Sequence, residues 1–207
     1  MPYESKLLTP SLLNSWRWLE NCPVGWKEKA ETDLENYLNR RPIDKEVFEL
    51  GNRFEKQVES LAKGVKITNP MKTAEEVAAI CKGGLWQQVT KCEIKTPDVT
   101  FLLYGRKDVD FANKTIDIKT TSNYKNPDYY LDSYQHRIYL YADWKNGHPK
   151  ELFKYVISDF ESVYEIDIVM PDPNILQKEV FEIVSRFREF LAKNKELEKA
   201  YFTKFCR

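Results

Sequence analysis

Apolar residues recur at helical spacing before Gly83-Gly84 and again after Pro173, and at strand spacing in between. Residues 8–20 form the first predicted helix: Thr9 can cap it, Pro10 suits its first position, and Asn21-Cys22-Pro23 ends it. Residues 26–38 read as a second, less regular helix. Over 44–63 the stripe Val47, Leu50, Phe54, Val58 and Leu61 marks a third, with Gly64 placed as its C-terminal cap. Thr73, with Glu76 three residues on, predicts a capped helix over 73–82. From Trp86 the period falls to two, and strands are expected at 86–95, 100–111, 114–121, 151–158 and 162–169. A helix over 128–142 with stripe Leu131, Tyr134, Ile138 and Tyr141 lies between the third and fourth strands. A long one over 173–195 turns Ile175, Val180, Ile183, Phe187 and Phe190 inward. That order predicts an α/β sandwich around one mixed sheet, in a single unit: mainly helical over 1–84, the sheet over 85–170, and a helix over 171–207.

Composition narrows the function classes. With 42% hydrophobic and 31% charged residues, the 207-residue chain is an ordinary globular sequence. Its 32 Lys plus Arg balance 32 Asp plus Glu, so no whole-molecule field draws it to a polyanion, and any polyanion must be held locally. No apolar run approaches the roughly 20 residues of a membrane span, and Met1-Pro-Tyr-Glu-Ser-Lys6 lacks the basic end followed by an apolar stretch that a leader shows; a soluble, intracellular protein without membrane contact is expected. Cys22, Cys81, Cys92 and Cys206 lie too far apart for a zinc or redox pair, and His136 and His148 cannot build a multi-histidine centre. Nucleotide-binding glycine loops and serine elbows are absent, leaving chemistry to carboxylates and lysines.

The carboxylates converge in one hairpin. If Ala112-Asn113 forms the turn, Phe111 pairs with Lys114 and Asp108 stands opposite Asp117, with Lys119 on the same face. Two opposed acids repel unless a positive body sits between them, and a hard divalent cation, Mg²⁺ or Mn²⁺, is the simplest. Asp-x-Lys alone decides nothing, because acid-x-lysine triplets also begin at Glu4, Glu93 and Asp143. Glu4 lies at the terminus, Glu93 has no acid on a neighbouring strand, and Asp143 follows a helix end where Lys145 would complement the dipole. A third carboxylate, Glu55, lies four residues after Gly51, whose missing side chain would let the helix approach the sheet; the alternative is a solvent-facing glutamate.

Other candidates keep two readings each. Gln135 and Tyr139 are either site residues or a helix edge. Arg53, Arg106 and Lys107 are either phosphate contacts or ordinary surface cations. His136 reads as a surface histidine, and Trp86 as core rather than a base-stacking platform.

Taken together, Gly105-x-x-Asp108, Asp117-Ile-Lys119-Thr120 and Gln135-x-x-x-Tyr139 resemble the RecB-type exonuclease branch of the PD-(D/E)XK nuclease superfamily. Gly51-Asn-Arg-Phe-Glu55 is similar to that branch's first motif, and Ser11 through Cys22-Pro23 to its N-terminal helix. The resemblance spans residues 9–142 and implies a restriction-endonuclease-like core with a helical N-terminal region. It implies that Asp108 and Asp117 bind Mg²⁺ or Mn²⁺ with Glu55 and the carbonyl of Ile118, and that Lys119 activates or orients the attacking water. Gln135, Tyr139, Thr120, Arg53 and Arg106 would contact DNA. Many members carry histidine where Glu55 stands, which bears on metal preference. Cluster-containing members add three cysteines near the C-terminus, where this chain has only Cys206, so no iron-sulfur cluster is expected. The function implied is a metal-dependent DNA nuclease, an exonuclease on ends or single strands, serving replication, recombination or a phage-like mobile element in a bacterial cytoplasm, with a recombination or replication protein as partner. The alternatives are a non-catalytic DNA- or protein-binding module and a sequence- or structure-specific endonuclease.

Overall fold

The computed structural model describes residues 6–39, 41 and 46–204. Six strands form one mixed sheet: β1 (Lys6–Leu8), β2 (Leu85–Lys95), β3 (Thr100–Asp110), β4 (Lys114–Thr120), β5 (Leu152–Ser158) and β6 (Val163–Val169). The order runs β1-β3-β4-β5-β6, with β2 antiparallel to β3 along its other edge. β1 lies parallel to β3, β4 parallel to β5, and the remaining pairs are antiparallel. The strands predicted from the period of two are all present, each within about a residue of its expected bounds.

Helices α1 (Pro10–Asn21), α2 (Lys27–Leu38), α6 (Gln135–Lys145), α7 (Pro173–Lys193) and α8 (Lys195–Lys204) contribute to one core with Phe101, Leu103, Phe153, Tyr155 and Ile157 of the sheet. Helices α3 (Glu46–Ala62) and α4 (Ala74–Cys81) cover a second core, where Phe54, Val58 and Val77 meet Val109, Ile116, Ile118 and Val156. Tyr155 and Val156 fall in different cores because successive strand residues face opposite ways. The α1 cap is as expected, Thr9 Oγ1 accepting from Leu12 N at 3.3 Å.

Several expectations need correction. The 128–142 helix is two pieces, α5 (Asp128–Leu131) and α6, and Leu131 is exposed. The break is held from outside: Asn14 on α1 donates to Ser133 Oγ and accepts from Tyr134 N. Leu50 and Ile175 also face solvent, each lying at the edge of its helix's stripe. Thr73 does not cap α4 with its side chain; its hydroxyl instead pairs with Ser158 Oγ at 2.6 Å inside the core. Trp86 is half-buried against the second core. β1 and α8 were not expected, since three residues show no period and α8 follows α7 after only Asn194.

β3 and β4 pair over only two residue pairs, Val109 with Ile116 and Asp110 with Thr115, beside the turn bond from Phe111 N to Lys114 O. This is the register counted from the sequence. It places Asp108 and Asp117 at the first position beyond the ladder. Further along, β1 takes that edge of β3 at Phe101–Leu103, so a gap opens between β3 and β4.

Candidate active site

At the gap β3 changes character. Lys107 is held against α6, whereas Val109 packs in the core under α3 and α4; strict alternation would put both on one face. Asp108, between them, sends its carboxylate across to β4, where Oδ2 accepts from Ile118 N at 2.8 Å. Opposite Asp108 on β2, Gln87 has φ of 56°, a left-handed conformation rare for a residue with a side chain. Gln87 Nε2 donates to Glu55 Oε1 at 2.8 Å. Sequence reasoning missed Gln87, because nothing in a strand's polar positions announces a local reversal of φ.

Asp117 is the deepest of the three acids, 2% exposed. Gln135, the first residue of α6, donates to its Oδ1. Its buried Oδ2 is ion-paired with the Lys119 ammonium at 2.6 Å. Burial and then the charge of Asp117 push the Asp108 carboxyl up to about 8. Burial also raises Asp117, and burial followed by Asp117 raises Glu55. For Lys119, burial works against the charge, but the fields of Asp117 and Asp108 outweigh it and hold the ammonium above its ordinary value. Lys119 is therefore a fixed cation among acids, suited to stabilising negative charge rather than accepting a proton.

Gly51 acts as the sequence suggested. A Cβ there would stand 2.7 Å from Thr120 Oγ1, so the bare position lets α3 seat against β4 with Thr120 in its present rotamer. This brings Glu55, half-buried, within the fields of Asp117, Lys119 and Arg106. Gly105 is tighter: its Cβ would fall 1.8 Å from the Tyr139 ring, whose hydroxyl donates to Arg106 O at 3.0 Å. Tyr139 is thus a buried strut between α6 and β3. Arg106 is exposed beside the site, whereas Arg53 is exposed along α3 in a separate hollow with Lys56 and Gln57.

Three neighbours differ from expectation. Lys107 is no surface cation: it is buried and pairs with Asp143 at 3.0 Å and Asp110 at 2.8 Å. Asp143 consequently sits inside α6 as a buried partner rather than past a helix end. His136 is buried, its Nδ1 3.3 Å from Tyr155 Oη, and burial with the nearby Arg137 charge pulls it down to about 3. The sequence did not foretell these, because the burying partners Asp143 and Tyr155 are distant in sequence from Lys107 and His136.

Among the described residues, no three acidic, histidine or cysteine side chains close into a metal cage. Glu55, Asp108 and Asp117 feel one another's charge, yet each is tied to its own donor. The donor set still fits a hard cation. Mg²⁺ uses one or two carboxylates and keeps water, and the solvent-shielded Asp117 Oδ2, met only by the Lys119 ammonium, is an oxygen of that kind. Cys22, Cys81 and Cys92 are free thiols, with burial raising Cys81 to about 12 and Cys92 to about 11; Cys206 lies outside the described residues. Among the described residues no helix is long and apolar enough to cross a membrane.

No protein-family model and no curated relative matches the chain. Solved structures do. One from Eubacterium rectale, described as a "putative exonuclease", superposes with a TM-score of 0.58 at 15% identity over 92% of this chain and 82% of its own. Another, SSO0001, gives a TM-score of 0.53 at 16% identity over 89% of this chain and 78% of its own. At these identities the likeness shows the fold: a mixed six-stranded sheet with flanking helices, of the restriction-endonuclease-like kind.

Proposed function

We propose that the chain is a Mg²⁺- or Mn²⁺-dependent deoxyribonuclease, an exonuclease acting on DNA ends or single strands. The observation that carries this reading is the meeting of Asp108, Asp117 and Lys119 where β3 and β4 part, with Asp117 Oδ2 buried and facing Lys119 at 2.6 Å. An excess of buried acids around a fixed ammonium is a poor structural device and a good frame for phosphate chemistry.

Asp108 and Asp117 would hold the cation, with Glu55 and the carbonyl of Ile118 beside them. Bound there, it would supply neutralisation of the phosphate's charge and a water of lowered pKa. The chain's own groups set the geometry. Gln135 fixes Asp117, Ile118 N fixes Asp108, and Gln87 fixes Glu55. Lys119, whose ammonium form Asp117 and Asp108 favour, donates to the phosphate oxygens as charge develops on them. Gln135 and Thr120 at the rim, with Arg106 nearby, would position the strand.

Labelled linear duplex, closed circular duplex and single-stranded DNA, each with Mg²⁺ or Mn²⁺, test the reading. Loss of linear and single-stranded substrates with circles surviving is expected. Circles cut equally fast would favour an endonuclease. Metal should raise the melting temperature by linkage in the wild type and in Lys119→Ala, but not in Asp117→Ala. Cleavage that persists in Asp117→Ala and Lys119→Ala would sink the proposal, and DNA binding without cleavage in the wild type would point to a binding module.

A further inference from the structure

A cavity of about 500 Å³ opens beside the site, and Lys119, Thr120 and Gln135 form its inner wall. That volume is in the range of pockets that enclose small organic groups, roughly 300–1,000 Å³. Its outer wall is aromatic. Trp18 on α1 is 42% exposed and Tyr129 on α5 is 65% exposed, and both line the cavity. Tyr129 stands edge-on to buried Tyr130, ring centroids 5.2 Å apart at 88°. Tyr124 closes the next side, itself stacked on Tyr164 at 4.1 Å. Tyr124 and Tyr129 are thus backed by other rings, while Trp18 and Tyr129 present apolar surface to water.

The charged side chains that line the cavity are all cations, two of them backed by acids outside it, Lys119 by Asp117 and Arg17 by Asp132. Arg17, Lys119 and Lys125 line the cavity and no acid does, among the described residues, although the chain as a whole is neutral. Arg17 bridges α1 and α5, its guanidinium reaching Tyr129 O at 3.5 Å and Asp132 at 3.7 Å, with a buried Nε that has no hydrogen-bond partner. Exposed aromatic rings among cations form the general recipe for holding a nucleic-acid strand by its bases and phosphates without reading sequence. A base still paired in a duplex has both faces covered by its neighbours. An enclosed pocket takes it only when unpaired.

We propose that this cavity is a binding site for one unpaired nucleotide of a DNA strand, stacked against Trp18 and Tyr129, whose phosphate leads onto Lys119. The site would make a single strand or frayed end the preferred substrate. This rests on the nuclease reading for the placement of the scissile phosphate, but the stacking itself does not need catalysis.

The test compares two labelled strands of equal length and charge, a short oligothymidylate and its fully abasic counterpart, binding to the wild-type protein without added metal. The thymine strand should bind about tenfold more tightly or better, in keeping with base–aromatic stacking. Trp18→Ala with Tyr129→Ala should erase that preference while leaving the weak abasic binding unchanged, and Trp18→Phe should restore most of it. Trp18 is 42% and Tyr129 65% exposed, so the double variant should stay folded with its melting temperature lowered by only a few degrees. Equal affinity of the wild type for the two strands would overturn the inference, as would a preference untouched by the double substitution. If the wild type cleaves DNA yet shows no base preference, the pocket fails and the nuclease reading stands. A base preference in a protein that cleaves nothing would leave the pocket and remove the nuclease.

Discussion

Two clusters of buried charge begin at adjacent residues of β3, and they are built in opposite ways. From Lys107 the cluster is balanced: two lysines, Lys107 and Lys150, meet two aspartates, Asp110 and Asp143, at 2.8–3.1 Å, and Lys150 also donates to Phe111 O at 2.6 Å. From Asp108 it is unbalanced: Asp108, Asp117 and Glu55 share a single lysine, Lys119, with all three carboxyls raised. A balanced cluster answers its own desolvation and ties α6 to the β3–β4 hairpin. In the unbalanced one the fold opposes ionisation of its acids, and this is the region that would profit from a cation and a phosphate.

The largest effect should come from breaking the unbalanced cluster at its chemistry. Asp108→Asn keeps an acceptor for Ile118 N and removes a carboxyl whose ionisation burial and Asp117 both oppose. Multiple-turnover cleavage should fall by about a thousandfold, roughly 4 kcal/mol of barrier, with thermal stability retained or slightly increased. The matching change across the strand, Asp143→Ala, should do the reverse. It leaves Lys107 and Lys150 sharing one acid, Asp110, and this excess buried cation should cost about 3–5 kcal/mol in denaturant unfolding, whereas pairing it with Lys107→Met should recover most of that loss. A stable Asp143→Ala, or an Asp108→Asn that unfolds, would dissolve the distinction between the clusters.

What the sequence disclosed divides along the same line. Strand bounds and the hairpin register followed from period two and a two-residue turn, which are local. Those facts alone set Asp108 against Asp117 and Lys119 beside them. The balanced cluster was illegible, because Lys107 and Asp143 lie thirty-six residues apart and each, taken singly, reads as a solvated charge. His136 was lost for the same reason, its burial being decided by Tyr155 and Phe153 from another strand. Gln87 shows a different limit: its polar side chain was visible, but the φ of 56° that aims it at Glu55 is set by the sheet's distortion opposite Asp108.

Between the two clusters in effect lies Gly51, which sets how near α3 comes to the unbalanced one. Gly51→Ala puts a Cβ 2.7 Å from Thr120 Oγ1, so the helix must lift or Thr120 must turn. The expected loss of stability is about 1–3 kcal/mol. Thr120→Ala removes the obstructing atom and should return most of it in the double variant. If Gly51→Ala unfolds at the wild-type denaturant midpoint, the close seating of α3 is not what fixes Glu55.

The smallest effect concerns pH and sharpens the contrast with a third buried group, one that carries no charge at all. His136 is held neutral, at about 3 against an ordinary 6.5, chiefly by burial and secondarily by Arg137. Between those values the unfolded chain takes up a proton that the folded chain refuses. Its contribution to stability is therefore fully present above about pH 6.5 and is lost as the pH falls toward 3. The slope from this residue is at most about 1.4 kcal/mol per pH unit. His136→Phe keeps the apolar contact with Phe153 and gives up the 3.3 Å bond to Tyr155, so it should lower stability modestly at pH 7 and flatten the acid limb. Denaturant midpoints measured from pH 7 to pH 4 check this. Parallel profiles for wild type and variant would mean that His136 protonates without unfolding the core around it, and that acid sensitivity arises in the charged clusters instead.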